Sequence, residues 1–72
     1  SNVKREEATA DANLSLYLRS LSHDFNNLLA AILGNAALLT SLLPEDSEAA
    51  RTAALIERAA QRGAELSAHL AR

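Results

Sequence analysis

His23 and Asp24 place an ionisable ring next to a carboxylate, and Asn26 and Asn27 follow within one helical turn. A neutral imidazole is a competent nucleophile. A carboxylate on the adjacent residue can hold one ring nitrogen, or receive its proton while the other nitrogen attacks phosphorus. His23 is therefore a candidate phosphate acceptor, with Asp24 as its orienting group or base. Asn27 adds an uncharged amide able to position phosphoryl oxygens or a water molecule. Amides are costly inside an isolated helix because they compete for its backbone, which argues for a duty at Asn27 and less strongly at Asn26. The blander readings are a solvated histidine and two solvated amides, and it is the grouping of these residues that favours chemistry. Metal chemistry is not expected. His23 and His69 are far apart in the chain, there is no HExxH spacing, and cysteine is absent. A glycine-rich phosphate loop is also missing, so no ATP site is expected in this chain.

These residues sit in a segment with the periodicity of a packed helix. Leu14, Leu18, Leu21, Phe25, Leu28, Ile32, Asn35, Leu39 and Leu42 are spaced alternately by four and three, the repeat of a bundle or coiled-coil seam interrupted only by Asn35. With Leu18 at a and Leu21 at d, His23 falls at f, pointing away from the seam, Asn27 at c on the same outer side, and Asp24 at g beside the core. Leu29, Ala36 and Leu43 widen the apolar stripe, as in a helix that touches more than one neighbour.

The spacing predicts a first helix over about 14–43 and a turn at about 44–46, because Pro44 disfavours helical geometry in the residue before it. A second helix is predicted over about 47–71, opened by Ser47 and Glu48. Its expected inward stripe is Thr52, Leu55, Ile56, Ala59, Gly63, Leu66 and Leu70, with Arg51, Glu57, Arg58 and Glu65 on the flanks. Gly63 suits either a close helix approach or simple tolerance of a glycine. Residues 1–13 are polar and read as a linker or as a helix extension from an upstream domain. A first helix ~45 Å long cannot cover both sides of its stripe with one hairpin. The expected architecture is therefore all-α, an antiparallel helical hairpin dimerising into a four-helix bundle.

Along the outer side Asn27, Ala30, Gly34, Ala37 and Ser41 make a strip of small residues where charged ones would be cheap. Together with Asn26, this strip is a candidate docking face for another protein. An alanine-rich helix covered by its own bundle would look similar.

Seventy-two residues bury little of their own surface when folding alone, and no disulfide can staple them. The hydrophobic share is 49%, supplied mainly by Ala and Leu, with Tyr17 and Phe25 the only aromatic residues. That composition forms helices. A net charge of -2 and a pI near 5.5 give no electrostatic reason to expect nucleic acid. No apolar run long enough to span a bilayer and no signal peptide is expected, so the piece reads as soluble and cytoplasmic, its parent protein either soluble or membrane-anchored.

Leu21-Ser22-His23-Asp24-Phe25-Asn26-Asn27-Leu28-Leu29, followed by Ile32-Leu33-Gly34-Asn35, closely resembles the phosphoacceptor box of bacterial sensor histidine kinases, in the His-Asp-Phe-Asn-Asn branch. Arg58 to Leu66 resembles the second-helix pattern of that branch, more weakly. The resemblance spans roughly residues 14–72 and marks a dimerisation and histidine phosphotransfer domain. It implies that His23 takes the γ-phosphoryl group of ATP and passes it to an aspartate of a response-regulator receiver domain. It further implies that Asp24 assists the phosphorylation, and that Asn27 matches the position which, in bifunctional members, places a water for hydrolysis of the regulator's acyl phosphate. The strip at Asn26, Ala30, Gly34, Ala37 and Ser41 would meet the regulator. ATP and Mg2+ would be bound by a separate ATP-binding catalytic domain of the same protein, and the fragment alone should not autophosphorylate. Many family members carry a proline five residues after the histidine; Leu28 stands there in this chain, as is common in this branch. Two other readings remain: a phosphotransfer adaptor without autokinase activity, and a purely structural helical module.

Overall fold

The computed structural model describes residues 2–70, which form two helices, α1 (Asn2–Leu42) and α2 (Glu48–Leu70), folded back on each other as an antiparallel hairpin. The first thirteen residues were open between linker and helix; residues 2–13 are helical and continuous with the rest of α1. The helix stops at Leu42, two residues before Pro44, with the Leu43 amide still bonded to Leu39 O at 3.0 Å. Beyond Pro44 the chain turns sharply. Ser47 N donates to Pro44 O at 3.2 Å, and Asp46 takes a left-handed conformation (φ 65°), which Asp tolerates better than most residues. Ser47 then caps α2: its Oγ accepts from Ala50 N at 3.0 Å and its carbonyl from Arg51 N at 3.1 Å. Glu48 at the start and His69 in the last turn each suit the dipole of the helix end they occupy. The expected continuation of α2 to Ala71 lies outside the described residues.

The seam between the helices is made of small side chains. Its buried residues are Ser22 and Ala36 on α1 and Ala53, Ala60 and Ser67 on α2, the last three at seven-residue intervals. Leu18, Asn26, Leu29, Leu33, Thr40 and Leu43 line the same side of α1 half-buried, opposite Ala50, Ala54, Glu57, Gly63 and Ala64. Small residues leave room for the facing helix, as Gly63 illustrates: a Cβ there would lie 3.0 Å from Leu29 Cδ2, so the glycine gives the Leu29 side chain its place. The helices are also tied by Thr40 Oγ1, 2.7 Å from Glu57 Oε1 and 3.0 Å from Ala36 O, its single proton serving one acceptor at a time.

This seam lies one residue round from the expected one. On α1, apart from Leu18, which belongs to both, each seam residue follows a member of the apolar stripe: Ser22 follows Leu21, Asn26 follows Phe25, Leu29 follows Leu28, Ala36 follows Asn35. On α2 Ala53 follows Thr52, Ala60 follows Ala59 and Ser67 follows Leu66. Of the stripe assigned inward on α2, only Gly63 reaches the seam; Thr52, Leu55, Ile56, Ala59, Leu66 and Leu70 are exposed. Phe25 is 48% exposed, Leu28 62%, Ile32 48% and Leu42 71%. The large residues dominate the hydrophobic pattern, but apart from Leu18, Leu29, Leu33 and Leu43 they stay out of the seam. They lie instead along one side of the hairpin, forming open apolar grooves lined by Leu28, Ile32, Leu39, Thr52 and Ile56.

The same exposure amends the expectation about membrane spans. Within α1 an 18-residue window reaches a mean hydropathy of 1.4, enough to cross a bilayer by length and composition, although only 6% of it is buried. That helix also carries Asn26, Asn27 and Asn35 and from Leu18 onward packs against α2, which bears Arg51, Glu57, Arg58, Arg62 and Glu65. Its apolar residues form a stripe suited to another protein surface.

The two glycines make opposite demands. A Cβ at Gly34 meets nothing within 4 Å, whereas at Gly63 it meets Leu29. Gly34→Ala should therefore stabilise by about 1 kcal/mol through helix propensity, and Gly63→Ala should gain clearly less or lose. Thermal melts of the two variants check this, and a larger gain at Gly63 than at Gly34 would contradict the close seam.

Candidate functional site

The arrangement around His23 begins with its neighbour. Ser22 is turned into the seam and is 3% exposed; opposite it Ser67 is 5% exposed. Ser22 Oγ donates to Ser67 O at 2.5 Å, Ser67 Oγ donates to Ser22 O at 2.9 Å, and the two Oγ atoms are 2.9 Å apart. With Ser22 facing α2, the 100° step of an α-helix carries His23 out of the seam, and His23 is exposed.

A second step of 100° takes Asp24 round to the flank of the open apolar stripe, also exposed. Adjacent helical residues do not face each other, and among the described residues no hydrogen bond joins His23 to Asp24. Asn27 lies one turn beyond His23 on the same outer side, and it too is exposed. Asn26 behaves differently from its neighbour: it sits at the edge of the seam, half-buried, with Oδ1 buried and without a partner among the described residues.

The small-residue strip shares the side of His23. At 100° per residue, His23, Asn27, Ala30, Gly34, Ala37 and Ser41 fall within about 80° of arc, a run of ~27 Å along α1. Ala30, Gly34, Ala37 and Ser41 are all exposed, so the hairpin itself leaves the strip uncovered. The Ser41 hydroxyl is used locally, donating to Leu38 O at 2.7 Å. Leu33 and Thr40 of α1, with Ala50, Ala54 and Ala64 of α2, extend the small surface across the groove; Glu57, bonded to Thr40, is its acidic group. The expected strip lacked this α2 half, and the seven-residue spacing of Ala53, Ala60 and Ser67 was the signal for which side of α2 faces α1. Ser22 and Ser67 were likewise missed, because a serine beside an exposed histidine reads as solvated until its partner helix is placed.

The hairpin thus carries two distinct sides. One presents leucine, isoleucine and phenylalanine; the other presents an accessible imidazole above a shallow small-residue surface. Neither is a nucleotide cradle. The grooves are open and apolar, and among the described residues no group of three or more His, Cys, Asp or Glu side chains could hold a metal ion.

Comparison with known families gives a match over residues 13–70 to the His Kinase A (phospho-acceptor) domain. The chain belongs to that family. No curated protein and no solved structure was found similar to it. As a HisKA domain it is a phospho-accepting, dimerising component of a histidine kinase, the place such domains hold in two-component signalling. The helical hairpin is the architecture that membership calls for, with the phospho-acceptor role falling on a chain that has His23 exposed on α1 and His69 near the end of α2.

Proposed function

We propose that His23 is the phosphoacceptor of a sensor histidine kinase of the His-Asp-Phe-Asn-Asn branch. In this reading it receives the γ-phosphoryl group of ATP from a separate ATP-binding domain of the same protein and passes it to an aspartate of a response-regulator receiver domain. The observation that carries the proposal is the setting of His23 within the family match: a solvent-facing imidazole whose preceding residue is buried and bonded to α2, above an uncovered strip of small residues. His69 shares its side of α2 with Leu55, Arg58, Arg62 and Glu65, so no strip of small residues lies beside it.

The chemistry follows from the groups at hand. A ring nitrogen of His23 attacks the γ-phosphorus with its lone pair, the bond from phosphorus to the β-bridging oxygen breaks, and ADP leaves with those electrons. The ring gains positive charge as the N–P bond forms. Asp24, swung towards the ring by a rotamer change, steadies that charge through the other ring N–H or takes its proton. Such hydrogen bonds are commonly made only in the working complex. In the second transfer a receiver carboxylate attacks phosphorus and the N–P electrons return to the ring. Asn27, exposed one turn away, is suited to hold a water for hydrolysis of the regulator's acyl phosphate, giving the domain a phosphatase role. The receiver seats on Ala30, Gly34, Ala37 and Ser41, reaching Asn26 at the rim.

The open stripe is covered by a second copy, giving a four-helix bundle. A compact monomer of this mass exposes ~4,300 Å², whereas the hairpin exposes 5869 Å². The surplus, ~1,500 Å² per chain, is the scale of surface that obligate homodimers remove.

Phosphate incorporation from labelled ATP, with the ATP-binding domain supplied separately, tests the acceptor. The wild type should take an acid-labile label and His23→Gln none, with unchanged melting because the side chain is exposed. Label retained by a folded His23→Gln form would move the acceptor elsewhere. The docking strip is tested by Gly34→Arg and Ala37→Arg, which should slow transfer to the receiver at least ~10-fold, about 1.4 kcal/mol, while leaving His23 labelling in place. Unchanged transfer would remove the strip from the docking face.

A further inference from the structure

The seam holds one feature that packing alone does not require. Its buried positions are alanines at Ala36, Ala53 and Ala60, but at the level of His23 they are serines on both helices. Three close contacts join them: Ser22 Oγ to Ser67 O, Ser67 Oγ to Ser22 O, and Oγ to Oγ. Two hydroxyl protons serve these three contacts, so each proton always finds an acceptor on the opposite helix. Apart from the Thr40–Glu57 hydrogen bond nearer the turn, the rest of the seam is held by non-directional contact between apolar groups, which tolerates sliding and rotation. Here it is held by bonds of 2.5 to 2.9 Å whose geometry is lost on a slide of even one residue rise, ~1.5 Å.

We propose that Ser22 and Ser67 are positioning residues for phosphoryl transfer: their hydroxyl clasp fixes the rotation and height of His23 relative to α2. The proposal rests on His23 being the acceptor. A protein donor must seat on the surface of the hairpin while aiming phosphorus at one imidazole, so its reaction depends on where that ring stands relative to both helices. A small donor in solution approaches the ring alone and has no such dependence. Misplacement of a reacting group by about 1 Å costs up to ~100-fold in rate.

The double variant Ser22→Ala/Ser67→Ala separates placement from folding. Alanine already fills the equivalent seam positions, and removing both hydroxyls together leaves no buried donor unpaired, which keeps the cost to the fold small. Its melting temperature should stay within ~5 °C of wild type. Two labelling rates are then compared: one from ATP through the separately supplied ATP-binding domain, the other from phosphoramidate, whose P–N bond breaks with loss of ammonia as the imidazole attacks. The expected result is a fall of ~10-fold or more in the ATP reaction with the phosphoramidate reaction unchanged. Each single variant keeps one hydroxyl-to-carbonyl bond across the seam and should fall between. An ATP rate equal to or above wild type overturns the proposal, as does an equal fall with both donors or a double variant that no longer folds. If wild type takes label from phosphoramidate at His23 but never from ATP, the acceptor reading itself fails, and the positioning role with it.

Discussion

The close approach of α1 and α2 through alanine, glycine and serine is the constraint on which the other features depend. Gly63 leaves room for the Leu29 side chain, which a Cβ there would meet at 3.0 Å. The fully buried positions are all small: among the described residues only Ser22, Ala36, Ala53, Ala60 and Ser67 are buried, while Leu18, Leu29, Leu33 and Leu43 are half-buried along the seam and the other large apolar side chains are exposed. Such a hairpin has a contact line but hardly a core. A chain of this size is marginal even when compact, so most of the hydrophobic free energy available to it resides in the face it leaves open.

The same constraint sets the chemistry. Ser22 is held in the seam, so the helical step turns His23 outward, and the residues above it on that side of α1 are small. The apolar stripe occupies the other side. A partner covering the stripe would leave the imidazole and its strip accessible, so on the proposed reading the two roles of a HisKA domain, dimerising and accepting phosphate, fall on separate surfaces of one hairpin. Gly34 shows how the surfaces differ in what they ask of the chain: it weakens the helix without any contact in the hairpin to justify it, in keeping with a surface shaped for a partner.

Much of this was legible in the sequence. The all-helical hairpin followed from periodicity, and Pro44 with Ser47 set the turn to within about two residues, since a proline and a cap act locally. The exposure of His23 and Asn27 followed from the frame of Leu21 and Phe25, which put Asp24 beside the core, whereas it is exposed. What the pattern misjudged was which neighbour the stripe faces. Hydrophobic periodicity weights Leu55, Ile56 and Leu66 above Ala53, Ala60 and Ser67, yet the hairpin is zipped by the small set, because backbone approach rather than side-chain bulk decides that contact. The helical continuation through residues 2–13 was left open, as polar helices without a packed face carry little signal. The Ser22–Ser67 clasp needed the register between helices, which no local pattern supplies.

If the open stripe is the true core of the domain, mass and folding are inseparable. Sedimentation equilibrium from low to high micromolar concentration, with helicity followed in parallel, measures this directly. The expected result is a species of twice 7.7 kDa whose helicity falls together with its mass on dilution. A stable, fully helical monomer of 7.7 kDa across that range would contradict the shared core, and with it the division of the hairpin into an associating side and a reactive one.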